Sequence, residues 1–143
     1  MRTFISRLAL STLAALAACS DPAHDHAVDA APGADAPPAQ VIDGARTLGV
    51  GEIIEGTLTG GPADAAGLHL TAAPATLDWN LHGHTGSGTQ TVAEGFAVAQ
   101  VDHAFVPTAS GDWFVLLRNS GTAPIAVTIR LELYGAMTWS GWQ

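Results

Sequence analysis

Two histidines separated by a single residue, His82 and His84, are the side chains of this sequence best suited to binding a metal ion. On a β-strand, residues i and i+2 point to the same face, so the two imidazoles would lie side by side. Asp78 and Asn80 share that parity, and His103 follows on another predicted strand. Paired imidazoles chelate zinc and copper in proteins. The pattern therefore offers a zinc or copper site with His82, His84 and His103 as ligands.

A simpler interpretation treats these histidines as polar residues on a solvated strand and its loop. Motifs this short occur by chance in many unrelated sequences. The His-x-His pattern of cupin enzymes also requires a glutamate within a few residues, whereas the next glutamate after His84 is Glu94. The sequence favours the simpler interpretation, so no cofactor is expected. Zinc or copper binding stays open as the alternative.

The residues that catalysis requires are scarce. The chain contains no lysine, which excludes Schiff-base chemistry, and it contains no phosphate-binding loop. Gly86-Ser87-Gly88 lacks the Gly-x-Ser-x-Gly spacing of a nucleophile elbow. Paired carboxylates would support a hydrolase, but sequence spacing does not reveal which carboxylates are neighbours. The sequence predicts that the protein is not an enzyme, with an envelope hydrolase as a second alternative.

Cys19 is the only cysteine, and it follows a segment typical of secretory signal peptides. Arg2 and Arg7 precede a largely apolar stretch that is shorter than the about 20 residues needed to cross a bilayer as a helix. Leu16-Ala17-Ala18-Cys19 resembles the lipobox of bacterial lipoproteins. The resemblance implies a signal peptide of residues 1–18. It also implies lipidation of Cys19, with a diacylglyceryl group on sulfur and a further acyl chain, such as palmitate, on the new amino terminus.

The same resemblance predicts where the protein is held. Each buried CH₂ group contributes about 0.8 kcal/mol, so several acyl chains on Cys19 would anchor the protein to a membrane permanently. Ser20 follows the cysteine, and the absence of Asp at this position favours the outer membrane over the inner membrane. The alternative is an ordinary secreted protein with a free thiol, which leaves the unpaired cysteine unexplained.

The charge balance limits the partners of the mature chain. Cleavage before Cys19 would leave only Arg46, Arg118 and Arg130 against 13 acidic residues. Such a surface repels phosphate backbones, so we expect no nucleic-acid partner. It also gives no electrostatic attraction to anionic lipid, so only the acyl chains would hold the protein at the membrane. A protein or glycan partner is compatible with this charge, but its identity is not predicted.

Residues 19–40 are predicted to form a disordered tether, and residues 41–143 a single folded domain. The tether is rich in alanine, proline and aspartate, and Val28 is its only large apolar residue. Such a segment has too little apolar surface to form a core, and its prolines favour extended conformations. We expect the tether to hold the domain away from the lipid surface.

The folded part has a β pattern throughout. Alternating apolar and polar side chains, separated by turn residues, predict strands at 52–59, 68–71, 77–82, 90–94, 98–106, 113–118, 125–133 and 137–142. Gly83 to Gly88 is predicted to be a glycine-rich loop. This pattern is typical of an all-β antiparallel sandwich of jelly-roll or immunoglobulin-like type.

The second half of the domain carries a diffuse family resemblance. Gly111-Asp112-Trp113 leads into an apolar strand, and Asn119-Ser120-Gly121 precedes the long alternating strand at 125–133. This order is similar to small bacterial domains of the pre-peptidase C-terminal and GOLD-like sort. The resemblance implies a β-sandwich and says nothing about function.

Residues 113–117 are apolar at both parities, although a strand with one wet face should alternate. Loops could cap a central strand, Trp139 and Trp142 could fold over it, or its second face could be an exposed groove for a partner. The two tryptophans are also a possible platform for stacking sugars.

Ion pairs are expected for two of the arginines. Arg118 and Arg130 are expected to pair with carboxylates such as Glu132 or Asp102. Taken together, the sequence predicts a membrane-anchored exported lipoprotein that acts as a binding or structural module of the cell envelope.

Overall fold

The computed structural model describes residues 36–85 and 88–143, and it is built from nine β-strands. β1 spans Gln40–Leu48, β2 Ile53–Gly60, β3 Ala65–Ala73, β4 Leu77–Thr85, β5 Gly88–Val98, β6 Gln100–Phe105, β7 Gly111–Asn119, β8 Ile125–Tyr134 and β9 Thr138–Trp142. The predicted signal peptide, Cys19 and the tether up to residue 35 lie outside the described residues. Within the described ranges there is no helix long and apolar enough to cross a membrane.

The strands form two antiparallel sheets in a jelly-roll order. One sheet has four strands in the order β1-β8-β3-β6, and the other has five in the order β5-β4-β7-β2-β9. The first eight strands pair in a nested way, β1 with β8, β2 with β7, β3 with β6 and β4 with β5. The predicted all-β sandwich is therefore confirmed. Its order is the jelly roll, because the immunoglobulin arrangement places the first strand beside the second.

The core lies between the inner faces of the two sheets. Its composition follows directly from the alternation of apolar and polar side chains along the strands. β8 shows this most clearly, because all five of its odd-numbered residues are buried, whereas Ala126, Thr128 and Arg130 are exposed. The buried residues of β8 are Ile125, Val127, Ile129, Leu131 and Leu133. Burying each such side chain contributes about 1.5–3 kcal/mol, so this strand is a major part of the core.

Several strands extend beyond their predicted ends because small residues occupy core positions. β3 begins at Ala65 rather than Leu68, and the buried Ala66 and Ala72 complete its inner face. β4 continues through Gly83 to Thr85, so the predicted glycine-rich loop from residue 83 is wrong. Gly83 faces the core, where an added Cβ would lie 2.8 Å from the Trp113 ring. A residue without a side chain is required there so that the indole can pack against the strand.

Asn119 anchors the turn that follows β7. Its side chain is fully buried, and its Nδ2 donates to the carbonyl oxygens of Leu48 at 3.1 Å, Gly49 at 3.0 Å and Ala123 at 2.8 Å. Its Oδ1 accepts from the backbone N–H of Gly121 at 2.9 Å. These bonds satisfy backbone groups of two separate loops, which explains why a polar side chain is tolerated in the core.

Candidate functional site

The two predicted histidines lie together on the outer face of the five-stranded sheet. His82 and His84 alternate along β4 with Leu81 and Gly83, which point into the core. The ring centroids of the two imidazoles are 5.2 Å apart, in an edge-to-face arrangement. The side-by-side placement that the i, i+2 spacing predicts is therefore present.

His82 is nearly inaccessible to water although it lies on an outer face. Only 6% of the residue is exposed, because the Phe114 ring of the neighbouring strand β7 stacks on it with centroids 5.4 Å apart. The ring of His84 contacts the same phenylalanine edge-on at 4.7 Å. An aromatic wall thus separates one side of the imidazole from solvent.

The two ring nitrogens of His82 have different neighbours. Nδ1 donates to Oδ1 of Asn80, two residues earlier on β4, at 2.7 Å. Nε2 then carries the free lone pair, and it lies 3.7 Å from Oε2 of Glu55 on β2. We call Glu55, Asn80, His82, His84 and Phe114 the histidine cluster. It combines a carboxylate and two imidazoles beside an apolar wall.

Burial favours the neutral form of His82. Desolvation lowers the pKa of His82 below its ordinary value of 6.5, and the neighbouring His84 lowers it further. The carboxylate of Glu55 raises the pKa and offsets part of this effect. At neutral pH the Nε2 atom of His82 is therefore a base and a potential ligand atom.

His103 does not join the pair. It lies on β6 of the four-stranded sheet, and its ring contacts Trp79 with centroids 5.5 Å apart. Trp79 is buried on the core side of β4, so the backbone of the sheet separates His103 from His82 and His84. The prediction that His103 completes a metal site is therefore wrong. Within residues 36–85 and 88–143, no three His, Cys, Asp or Glu side chains are already arranged to hold a metal ion.

Asp78 lies on the same outer face of β4 as His82 and His84, and it has a structural role. Asp78 Oδ1 accepts the backbone N–H of Ala97 at 2.9 Å and the hydroxyl of Ser120 at 2.9 Å. Asp78 thus ties the end of β5 and the turn after β7 to β4. Glu55, by contrast, was not singled out in the sequence, because only the register between β2, β7 and β4 brings it to His82.

The outer face of β7 is partly open. Trp113, Val115 and Leu117 are buried in the core, whereas Phe114 and Leu116 lie half-buried on the outer face. Neither Trp139 nor Trp142 covers this face, because both pack against the core. An added Cβ at Gly56, an inward-facing residue of β2, would overlap the Trp139 ring. The proposed cover by the two tryptophans is therefore wrong.

The two tryptophans instead line a groove at one side of the sandwich. This groove has a volume of about 310 Å³ and lies between the edge strands β1 and β9. The two indoles meet edge-to-face with centroids 4.9 Å apart. We call it the tryptophan groove, and it is lined by Ile42, Asp43, Gly44, Ala45, Arg46, Ile129, Trp139 and Trp142. Its size is at the small end of the range for small-molecule sites.

Arg46 is the cation of this groove. It is exposed, and it forms no ion pair with any residue in the described part of the chain. A second exposed arginine, Arg118, also lacks an ion pair there, contrary to expectation, but it lies on the outer face of the other sheet. The tryptophan groove therefore combines two indoles with a guanidinium group that is free to bind a ligand.

The outer face of the four-stranded sheet carries a network of charges that we call the charged face. Arg130 bonds to Asp43 at 3.2 Å and to Glu132 at 2.9 Å. His69 lies between Asp102, at 3.1 Å from its Nδ1, and Glu132, at 3.7 Å from its Nε2. The expected pairing of Arg130 with Glu132 is confirmed, whereas Asp102 pairs with a histidine.

A second groove of about 310 Å³ adjoins the charged face. Its lining includes Gly67, Ala104 and Tyr134. The hydroxyl of Tyr134 donates to Glu132 Oε2 at 2.9 Å, so this polar atom is already used within the fold. The tryptophan groove is the better candidate for a ligand, because its guanidinium group is unpaired.

Comparison of the sequence with protein-family models and with curated proteins finds no match.

Proposed function

We propose that this protein is a lipid-anchored lipoprotein of the bacterial envelope and that its jelly-roll domain binds an acidic saccharide in the tryptophan groove. The observation that supports the proposal is the meeting of Trp139 and Trp142 with the unpaired Arg46 in one groove of about 310 Å³. Sites for small molecules typically combine aromatic walls with a few well-placed polar groups. The groove has this composition.

The choice of an acidic saccharide follows from the chemistry of the lining. An indole face is large, apolar and rigid, so it suits the CH face of a pyranose ring. A guanidinium group binds carboxylate and phosphate groups through two parallel hydrogen bonds. Arg46 would thus select a sugar that carries a carboxylate or phosphate over a neutral sugar. The one carboxylate in the lining, Asp43, is paired with Arg130, whereas the acidic surface elsewhere on the domain would repel such ligands.

The anchor is proposed from the sequence alone. Leu16-Ala17-Ala18-Cys19 resembles a lipobox, and lipidation would account for the single unpaired cysteine. Acyl chains on Cys19 and the polar residues that follow would hold the groove near the envelope surface. A module held in this way would act by retention of a ligand and not by turnover.

The anchor is tested by expressing the full chain in a bacterium that processes lipoproteins. We expect intact-mass analysis to show a chain that begins at Cys19 and carries three acyl chains. The Cys19→Ser variant should lose acylation and leave the membrane fraction. A wild-type chain that begins elsewhere, or that carries no lipid, would refute the anchor.

The groove is tested by tryptophan fluorescence of the purified full chain in detergent. Trp79 and Trp113 are buried in the core, at 7% and 5% exposed, so a change in emission on ligand addition reports Trp139 and Trp142. We expect oligogalacturonate to bind. Arg46→Gln and Trp142→Ala should each weaken binding at least about tenfold, equivalent to about 1.4 kcal/mol.

Two controls make this test specific. Arg118→Gln removes an unpaired arginine from a different face and should leave binding unchanged. A neutral cello-oligosaccharide should bind more weakly than oligogalacturonate to the wild type, and this preference should disappear in Arg46→Gln. If no acidic saccharide changes the emission, or if Arg46→Gln and Arg118→Gln behave alike, the proposal fails.

A further inference from the structure

We propose that the second groove binds a short aliphatic diamine, with its alkyl chain over small residues of β3 and β6 and its ammonium groups at the carboxylates of Asp102 and Glu132. The groove has a volume of about 310 Å³, so it has room for such a molecule. It lies on the outer face of the four-stranded sheet, away from the tryptophan groove between β1 and β9. The inference is therefore independent of saccharide binding.

Small residues at neighbouring positions of the sheet leave space on this face. Ala65 and Gly67 share the parity of His69 on β3, so they face outward. The strand register places Gly67 directly between Glu132 of β8 and Ala104 of β6. An alkyl chain that runs across the sheet from the carboxylate of Glu132 therefore meets only a glycine and an alanine.

The lining suits a ligand with an apolar body. Val106, which is 46% exposed, and Tyr134 both border the groove. The hydroxyl of Tyr134 is bonded to Glu132, so the ring and not the hydroxyl is available to a ligand. An aromatic ring offers apolar contact area, and it attracts a cation that lies within about 6 Å of its centre. These groups favour an organic cation over a hydrated inorganic ion.

The charge around the groove favours a cation. The chain contains no lysine, and in the described part of the chain Arg130 is the only arginine of the charged face, against the carboxylates of Asp43, Asp102 and Glu132. The side chain of Asp102 contacts His69 and is still 73% exposed. An ionised carboxylate has about four acceptor sites, so the carboxylates in the lining can accept further hydrogen bonds from ammonium groups.

Two ammonium groups match the groove better than one. Asp102 and Glu132 lie at opposite nitrogens of the His69 ring, at 3.1 Å from Nδ1 and 3.7 Å from Nε2. They belong to β6 and β8, the two neighbours of β3, and adjacent strands are about 4.8 Å apart. A diamine can place one ammonium group at each carboxylate, whereas a monoamine leaves one of them without a cation.

The test is an NMR titration of the isotope-labelled full chain in detergent with cadaverine, a five-carbon diamine. We expect the backbone amide signals of Ala65, Gly67 and Ala104 to shift and to reach saturation. Pentylamine, which has one ammonium group, should bind more weakly, and pentanediol, which has none, should not bind. High salt should weaken the binding of cadaverine, because exposed charges are screened.

Two pairs of variants make the test specific. Ala104→Leu should weaken binding at least about tenfold, because its side chain would occupy the space that the alkyl chain needs. Ala126→Leu, the same change at an exposed position on the outer face of β8 outside the groove, should leave binding unchanged. Asp102→Asn should weaken binding about threefold, which is the scale of an exposed ion pair, whereas Glu94→Gln on the other sheet should have no effect.

Three results would overturn the proposal. They are the absence of a saturating shift at the groove, equal binding by Ala104→Leu and Ala126→Leu, and shifts with pentanediol that equal those with cadaverine. Equal shifts beside carboxylates of both sheets would indicate a general attraction of cations to an acidic surface, which would also overturn it. Arg46 and Trp142 do not line this groove, so saccharide binding can fail or succeed separately.

Discussion

The outer faces of the two sheets each carry a histidine beside carboxylates, yet they place it in opposite surroundings. The side chain of His82 is 8% exposed under Phe114, whereas the side chain of His69 is 39% exposed between Asp102 and Glu132. The residue types are similar, and the main difference is one aromatic ring on a neighbouring strand. Burial of the imidazole, more than the presence of acidic neighbours, therefore distinguishes the two faces.

The charged face satisfies its charges internally. Hydrogen bonds from Arg130 and Tyr134 lower the pKa of Glu132 below its ordinary value of 4.5, and the hydrogen bond to Glu132 raises the pKa of Arg130. Each group on this face thus has a partner and contact with water. In the histidine cluster, by contrast, the Nε2 atom of His82 has a carboxylate nearby but no hydrogen bond to it.

Among variants that test the difference between the two faces, removal of the Phe114 ring should have the largest effect on stability. Phe114→Ala would expose His82 and remove a half-buried ring from the centre of the sheet. We expect the free energy of unfolding to fall by about 2 kcal/mol, somewhat below the cost of truncating a fully buried phenylalanine. Urea denaturation measures the loss, with Thr128→Ala on the charged face as the control. Equal losses in the two variants would contradict the distinction between the faces.

A smaller effect on stability should appear when the pH is lowered. Burial lowers the pKa of His82 in the folded state, so below pH 6.5 the unfolded chain binds the proton more readily. Stability is therefore retained above pH 6.5 and falls as the pH decreases below it. Urea midpoints measured from neutral to mildly acidic pH should show this decline, and His82→Gln should reduce it. An unchanged decline in His82→Gln would assign the effect to other groups.

Loss of the arginine on the charged face should have the smallest effect. Arg130→Gln removes the ion pairs to Asp43 and Glu132, so the pKa of Glu132 should rise towards 4.5. The contribution of Glu132 to the stability of the folded state is present above pH 4.5, and it is lost as the pH falls through the lowered pKa of Glu132. At neutral pH we expect a slight decrease in the urea midpoint that vanishes in about 1 M salt, because exposed charges are screened. A difference that persists in salt would indicate lost packing instead.

Local patterns in the sequence predicted the strands and the orientation of their side chains. The alternation from Ile125 to Leu133 identified β8, and the i, i+2 spacing placed His82 and His84 on one face of β4. Both are properties of a single strand. They depend on the two-residue period of the backbone and not on any neighbour.

Properties that depend on the pairing of distant strands could not be predicted in this way. Glu55 reaches His82 only because β7 lies between β2 and β4 in a particular register. His103 shares the parity of core residues on β6, so it faces Trp79 instead of the pair. β1 was not recognised because Gly44 and Arg46 occupy inward-facing positions where large apolar residues would signal a strand.

The nested pairing of the strands has a consequence for the order in which the domain can fold. β1 is made first, but its partner is β8, and Gln40 pairs with Leu133. Closing so long a loop costs entropy before any contact repays it, and folds rich in such contacts form slowly. A chain still emerging from the ribosome cannot complete this sandwich. If the chain is exported as proposed, it can pass unfolded through a narrow translocation channel, because the sandwich cannot form until β8 is available to pair with β1.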